Sequence, residues 1–299
     1  MTIEAQISRW IAILGASSQP SATPAQARAL VAELRAQAQR APEIVAQVTG
    51  LTDALGAAQS VQVLVVDRAN WAYGAAQAVK AMLPPEEVGL ALASSGLGVM
   101  APFVMGQFDP YGAGDGDGSG RLLLNAPTVA QFRERYNLDQ RDLCLWVCVH
   151  EFTHALQYAS APWLKEFMTE QLVSAFEESE TNPLESVGGM KMRATMTLLE
   201  GHAEYTMNNV PLTKIPSRKR IVSAMAKRRK DHKGLAAALA KSAGMAQKAS
   251  QYSEGSDFVS AVIRKRGKDE FNKVWERPEN LPTLEELANP DEWIARVLA

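Results

Sequence analysis

Cysteine is scarce in this chain, with two in 299 residues, too few for the disulfide framework of a small secreted domain. No uncharged apolar run reaches the ~18–20 residues that a membrane-spanning helix needs. The opening residues, MTIEAQISRWIAIL, lack the basic start, the apolar stretch and the small-residue cleavage site of a secretory leader. A soluble, reducing, cytoplasmic setting is therefore expected. Charge of one sign is also missing. The formal net charge is -2 and the pI is near 6.2, so the chain as a whole is no polycation for nucleic acid. With 46% hydrophobic and 21% charged residues, 15 Pro and 20 Gly, disordered and collagen-like classes are excluded. Histidine is rare too, at four residues, which gives weight to where those four fall.

The chain is long enough for a large core, and the expectation is a single domain over residues 1–299. Residues 1–60 are Ala-rich and read as helices, with Thr23-Pro24 as a starting pair. A small-sheet region follows over 61–126. Val61–Val66 is β-branched and bounded by Asp67 and Arg68, a strand signature. A helix over Trp71–Leu83 is stopped by Pro84-Pro85. The segment Leu97–Phe108 reads as a strand, Asp109–Gly120 (DPYGAGDGDGSG) as a loop, and Arg121–Asn125 as the second arm of a hairpin. Beyond Asp139 the character is helical, with breaks near Pro162, Pro183–Gly189, Pro211–Ser217 and Pro278–Pro282. Residues 139–208 and 214–299 form two helical regions. Helices, a few strands, then helices imply an α+β, mostly α-helical fold.

The segment Asp139–Ser160 (DQRDLCLWVCVHEFTHALQYAS) carries the chemistry. Asp139 can cap it and Ala161-Pro162 ends it. Leu143, Leu145, Trp146, Val147, Val149, Phe152 and Leu156 occupy every face, so a buried central helix is expected. Within it stands His150-Glu151-Phe152-Thr153-His154, an H-E-x-x-H pattern. Histidines four apart project from one face and can bind one Zn²⁺, while the intervening glutamate can reach a zinc-bound water as general base. Two histidines satisfied by backbone carbonyls would be the plainer alternative, but a buried helix has little use for two imidazoles and a carboxylate without partners.

A catalytic zinc takes a third protein ligand and keeps one position open. Met190–Asn208 is a second helical pattern containing Leu199-Glu200-Gly201-His202-Ala203-Glu204-Tyr205. Glu200 and Glu204 share a face, with Gly201 removing bulk beside them. Glu200 is the expected third ligand. Glu204 is expected to accept the free N–H of a ligand histidine. His202 points away from the ligand direction, and it lines the cleft or serves structure. Tyr205 offers packing or a hydrogen bond to an oxyanion.

The segments Leu145–Gln157, Ala161–Leu164 and Leu199–Glu204 resemble the zincin-like metallopeptidase type 2 family, hydrolases with one subgroup called coenzyme F420 biosynthesis-associated proteins. The resemblance extends to Val65–Arg68 with Trp71, to Phe271–Trp275 and to Leu281–Thr283. It implies a zincin-like core in which a small sheet lies over the H-E-x-x-H helix. The Glu200/Glu204 pair is similar to the glutamate arrangement of gluzincin peptidases. The spacing departs from that pattern: 45 residues intervene between His154 and Glu200, and Glu166, Glu170, Glu177, Glu178, Glu180 and Glu185 in this insert are rival ligands.

Three other features carry less. Asp115-Gly-Asp117-Gly-Ser119-Gly120 imitates half of a Ca²⁺ loop but lacks the closing Glu, Ala126 standing in its place, so a hairpin turn is expected. Cys144 and Cys148 lie opposite the histidine face and read as small buried hydrophobes. From Lys214 to Lys248 eleven Lys/Arg face one Asp. This stretch reads as a solvated helical surface or an anion site, and the absence of interleaved aromatics weighs against nucleic acid. The expectation is thus a hydrolase holding one Zn²⁺ through His150, His154 and Glu200, with Glu151 as base and a peptide or small amide as substrate. The competing expectation is a non-catalytic zinc scaffold or partner-binding protein.

Overall fold

The computed structural model describes residues 22–82, 100–112, 120–178, 182–231 and 251–299, with the backbone alone for residues 229–231 and 251–253. The chain divides into two compact units, one of residues 1–46 and 52–159, the other of residues 47–51 and 160–299.

In the first unit, helix α1 (Pro24–Thr49) starts where the Thr-Pro pair predicts. The Gln26 N–H donates to Thr23 Oγ1 (3.3 Å) and Gln26 Oε1 accepts the Thr23 N–H (2.8 Å), a reciprocal cap. Leu30, Leu34, Ala38, Ala41 and Val45 form its buried stripe. After the short helix α2 (Leu55–Gln59), strand β1 (Gln62–Val66) leads into helix α3 (Arg68–Met82). This helix begins three residues earlier than Trp71 because Asp67 caps it, its carboxylate accepting the Asn70 N–H at 2.7 Å. The expected stop at Pro84-Pro85 lies outside the described residues.

Strands β2 (Gly106–Asp109) and β3 (Arg121–Asn125) pair antiparallel with Phe108 opposite Leu122, the expected hairpin. β1 pairs parallel to β3 with Leu64 opposite Leu123, so the sheet order is β1-β3-β2. The strand expected over Leu97–Phe108 is shorter. Residues 97–99 lie outside the described residues, and a turn closed by Phe103 N–H to Met100 C=O (2.8 Å) occupies the next stretch. Pro102 has no N–H for a ladder, and the Ala101 carbonyl is taken by Asn125 Nδ2 (2.9 Å) and Thr128 Oγ1 (3.1 Å). Where the hairpin loop leaves β2, the fully buried Asp109 carboxylate accepts the N–H groups of Tyr111 and Gly112 and pairs with Arg121 Nε at 2.8 Å. Residues 113–119, with most of the Ca²⁺-like stretch, lie outside the described residues.

Helix α4 (Ala126–Tyr136) ends at Asn137, whose φ of 48° closes the turn. Helix α5 (Gln140–Ser160) follows. Asp139 caps it as expected, accepting the Asp142 N–H at 2.8 Å. Leu143 through Val149, Phe152, Ala155 and Leu156 are all buried, so α5 is apolar around its whole circumference.

The second unit is built around helix α7 (Val187–Asn209), which follows α6 (Leu164–Glu178) and a 3-10 turn at Pro183–Glu185. Ser186 caps α7, its hydroxyl accepting the Gly189 N–H at 3.0 Å. Glu178 receives the Val187 N–H and the Ser174 hydroxyl, and these bonds hold its carboxyl below its usual range. Helices α8 (Arg218–Asp231) and α9 (Gln251–Arg266) come next, then the short α10 (Lys268–Phe271), α11 (Leu284–Ala288) and α12 (Pro290–Val297). Phe258, Phe271, Trp275 and Trp293 form a fully buried aromatic core. The indole N–H of Trp293 donates to the Asn280 carbonyl (2.7 Å), and that of Trp163 to the Trp275 carbonyl (3.0 Å). On α8, Ile221 and Ala224 are buried while Lys219, Arg220 and Lys227 are exposed, so the described part of the basic stretch is a solvated helix face. Its remainder to Lys248 lies outside the described residues.

Helices α7 and α9 cross at two glycines. A Cβ at Gly255 would sit 2.1 Å from the Thr197 carbonyl oxygen, and one at Gly201 would sit 2.2 Å from the Gly255 carbonyl carbon. Both obstacles are backbone and cannot step aside. Gly255→Ala should therefore cost about 1–3 kcal/mol, as overpacking does, and lower the melting temperature by several degrees. An unchanged melting curve would contradict this backbone contact.

Candidate metal centre

Helix periodicity brings the two histidines of α5 to one face. His150 Nε2 and His154 Nε2 stand 3.3 Å apart, with the rings edge to face at 88°. Two nitrogens bound to one tetrahedral zinc at ~2.0–2.1 Å are about 3.3–3.4 Å apart, so the pair as it stands fits one such ion. Both histidines are half-buried within an otherwise closed helix.

Glu151 points to the sheet. It is 5% exposed, and its Oε2 accepts the Phe108 N–H of strand β2 at 3.0 Å. β2 has β3 on one side only, so this N–H lies on the strand's other edge and is available to the carboxylate. Gly106, two residues earlier on the same edge, leaves the space that the carboxylate fills. A Cβ there would come within 2.6 Å of Glu151 Oε1 and 2.8 Å of its Cγ. The sheet thus lies beside the H-E-x-x-H helix, as a zincin-like core requires, and supplies both a donor and a gap for the glutamate.

The sequence pattern missed two contributors. In the sequence alone Gly106 is one residue of an apolar strand. Gln157, one turn after His154, is fully buried, with its Oε1 2.9 Å from His154 Nδ1. A polar residue at i+3 from a ligand histidine, inside an apolar helix, is the signal that could have found it. Tyr158 continues the 150–154 stripe, its ring 5.7 Å from that of Phe108. Burial, first, and then the nearby Tyr111 and Asp109 raise its phenol well above the ordinary range. Cys144 and Cys148 are free and buried, as expected, with Cys148 Sγ 3.8 Å from the Leu34 carbonyl of α1. Burial pushes both thiols up, so neither offers a ready thiolate.

In the second unit, α7 carries Glu200 and Glu204 one turn apart, both half-buried. Tyr205 is half-buried, and burial raises its phenol. His202 is fully buried, its ring 5.3 Å from Phe271 and 5.4 Å from Trp275, which is a packing position in the aromatic core. Gly201 serves the α9 crossing, whereas the sequence alone suggests clearance beside the glutamates. Of the rival acids, Glu166, Glu170, Glu177, Glu178 and Glu185 are exposed, and Glu178 caps α7; Glu180 lies outside the described residues. No described helix is long and apolar enough to cross a membrane.

A crystal structure from Chloroflexus aurantiacus, described as that of a candidate hydrolase with a novel fold, is similar over 99% of this chain and 98% of its own, with a TM-score of 0.74 and 27% identity. No curated protein matches the chain. Residues 87–190 and 180–294 match the zincin-like metallopeptidase family, which spans the H-E-x-x-H helix and most of the second unit. Family and structural neighbour both support a hydrolase, and the chain belongs to the zincin-like metallopeptidase family.

Proposed function

We propose that the protein is a zinc-dependent hydrolase of the metallopeptidase type, with His150, His154 and Glu200 as ligands and Glu151 as general base. The observation that carries this reading is the histidine pair, two imidazole nitrogens 3.3 Å apart on a buried helix beside a carboxylate pinned to a strand edge. Support for Glu200 is that α7 holds it half-buried and one turn from Glu204, while the described rival acids are exposed. Glu204, one turn beyond, is proposed as hydrogen-bond partner to a ligand histidine. Tyr205 is proposed to line the substrate cleft.

When bound, zinc supplies a Lewis acid that polarises a carbonyl and brings the pKa of water toward ~7. Glu151 takes the proton of the attacking water and passes it to the leaving amine. The Phe108 N–H holds Oε2, and Oε1, over Gly106, receives the proton. The proposed substrate is a peptide or small amide and the proposed setting cytoplasmic, in keeping with two buried free thiols. Cleavage of a peptide library by the zinc-loaded protein, beside its Glu151→Gln variant, tests the activity. Cleavage by the wild type alone is expected, and no cleavage by either overturns it.

The purified protein should hold about one zinc per chain, and His150→Ala or His154→Ala should lose it. Chelation should lower the melting temperature, since a ligand of the native state adds to stability by mass action. A folded wild type that takes up no zinc would sink the proposal.

The three glutamates should separate by metal titration. Glu200→Ala should release zinc, Glu204→Ala should weaken it ~10–100-fold, and Glu151→Gln should keep it while hydrolysis collapses. Wild-type affinity in Glu200→Ala would refute the ligand assignment. Wild-type turnover in Glu151→Gln would refute the base.

Gly106→Ala should retain zinc but push the Glu151 carboxylate from its slot, cutting turnover by roughly 10²-fold, the lower range for loss of a positioned base. Full activity in that variant would show that the slot is not needed.

A further inference from the structure

We infer that Gln157 is a positioning residue that fixes the tautomer of His154, so that the imidazole keeps its proton on Nδ1 and offers the Nε2 lone pair to the metal. The inference rests on the proposed zinc site for its metal readout, and on the structure of α5 alone for its tautomer readout. A neutral imidazole has one N–H and one lone pair, and its neighbours decide which nitrogen carries which. Gln157 Oε1 lies 2.9 Å from His154 Nδ1. A carbonyl oxygen can only accept, so this bond exists only with the proton on Nδ1. The other nitrogen, Nε2, is the one that stands 3.3 Å from His150 Nε2, where a shared cation would sit.

Burial makes the arrangement firm. Gln157 is fully buried, so water does not compete with the histidine for its oxygen. The residues are three apart on one α-helix turn, so no loop movement can separate them. Ligand histidines are commonly oriented by carboxylates. Here a neutral amide does this, and it adds no further negative charge on a helix that already buries Asp142 and Glu151.

The test uses the full chain. In the metal-free wild type, long-range ¹H–¹⁵N correlation of the histidine rings should show His154 protonated at Nδ1 and bare at Nε2. Zinc titration should show Gln157→Leu, which keeps similar bulk without an acceptor, binding ~10–100-fold more weakly than wild type. Gln157→Glu restores the acceptor and should bind within a few-fold of wild type or more tightly, a rescue that a merely structural role would not give. A His154 ring protonated at Nε2 in the wild type overturns the inference, and this reading needs no variant to fold. Wild-type zinc affinity in a folded Gln157→Leu, or equal loss in Gln157→Glu, also overturns it. A wild type that shows the Nδ1 tautomer yet binds no zinc would refute the zinc site while leaving the tautomer assignment standing.

Discussion

Two imidazoles held 3.3 Å apart, nitrogen to nitrogen, on a helix buried along most of its length set the terms for the first unit. Paired imidazole lone pairs repel unless a proton or a cation lies between them, and a buried helix cannot rotate to relieve them. Everything around α5 restrains them further. Gln157 grips the far side of His154, and Asp139 fixes the start of the helix by accepting the Asp142 N–H. The apolar residues Leu143–Val149 seat it against its surroundings. The three-stranded sheet then meets Glu151 with a strand edge whose free N–H and missing side chain match a carboxylate.

The sequence made some of this legible and hid the rest, for physical reasons. His150, Glu151 and His154 were readable because helical period alone places them, and the caps at Thr23 and Asp139 because capping is a local affair of three or four residues. The hairpin was readable from its Gly/Asp loop. The length of β2 was not, because Pro102 and the grip of Asn125 and Thr128 on the Ala101 carbonyl turn the preceding residues out of the ladder. Gly106 escaped notice because its partner, Glu151, is 45 positions away in sequence, and its role exists only once strand and helix have docked. Gly201 shows the same limit from the other side. Its lack of a side chain was visible, but the helix that needs the space, α9, begins more than forty residues later.

The second unit answers a different demand. Its long helix α7 runs through a core of large aromatics, and it crosses α9 with no side chain between them. That contact leaves α7 little freedom to rotate, so the faces on which Glu200, His202 and Tyr205 project are set by packing. His202 goes into the core, where its fully buried ring packs beside Phe271 and Trp275.

The central proposal is that two histidine nitrogens and a carboxylate oxygen hold a zinc ion, and zinc-edge X-ray absorption of the loaded protein tests it most directly. The account predicts a light-atom shell at ~2.0–2.1 Å with the outer-ring scattering of two imidazoles. A sulfur shell near ~2.3 Å, or an oxygen shell without imidazole scattering, would contradict it.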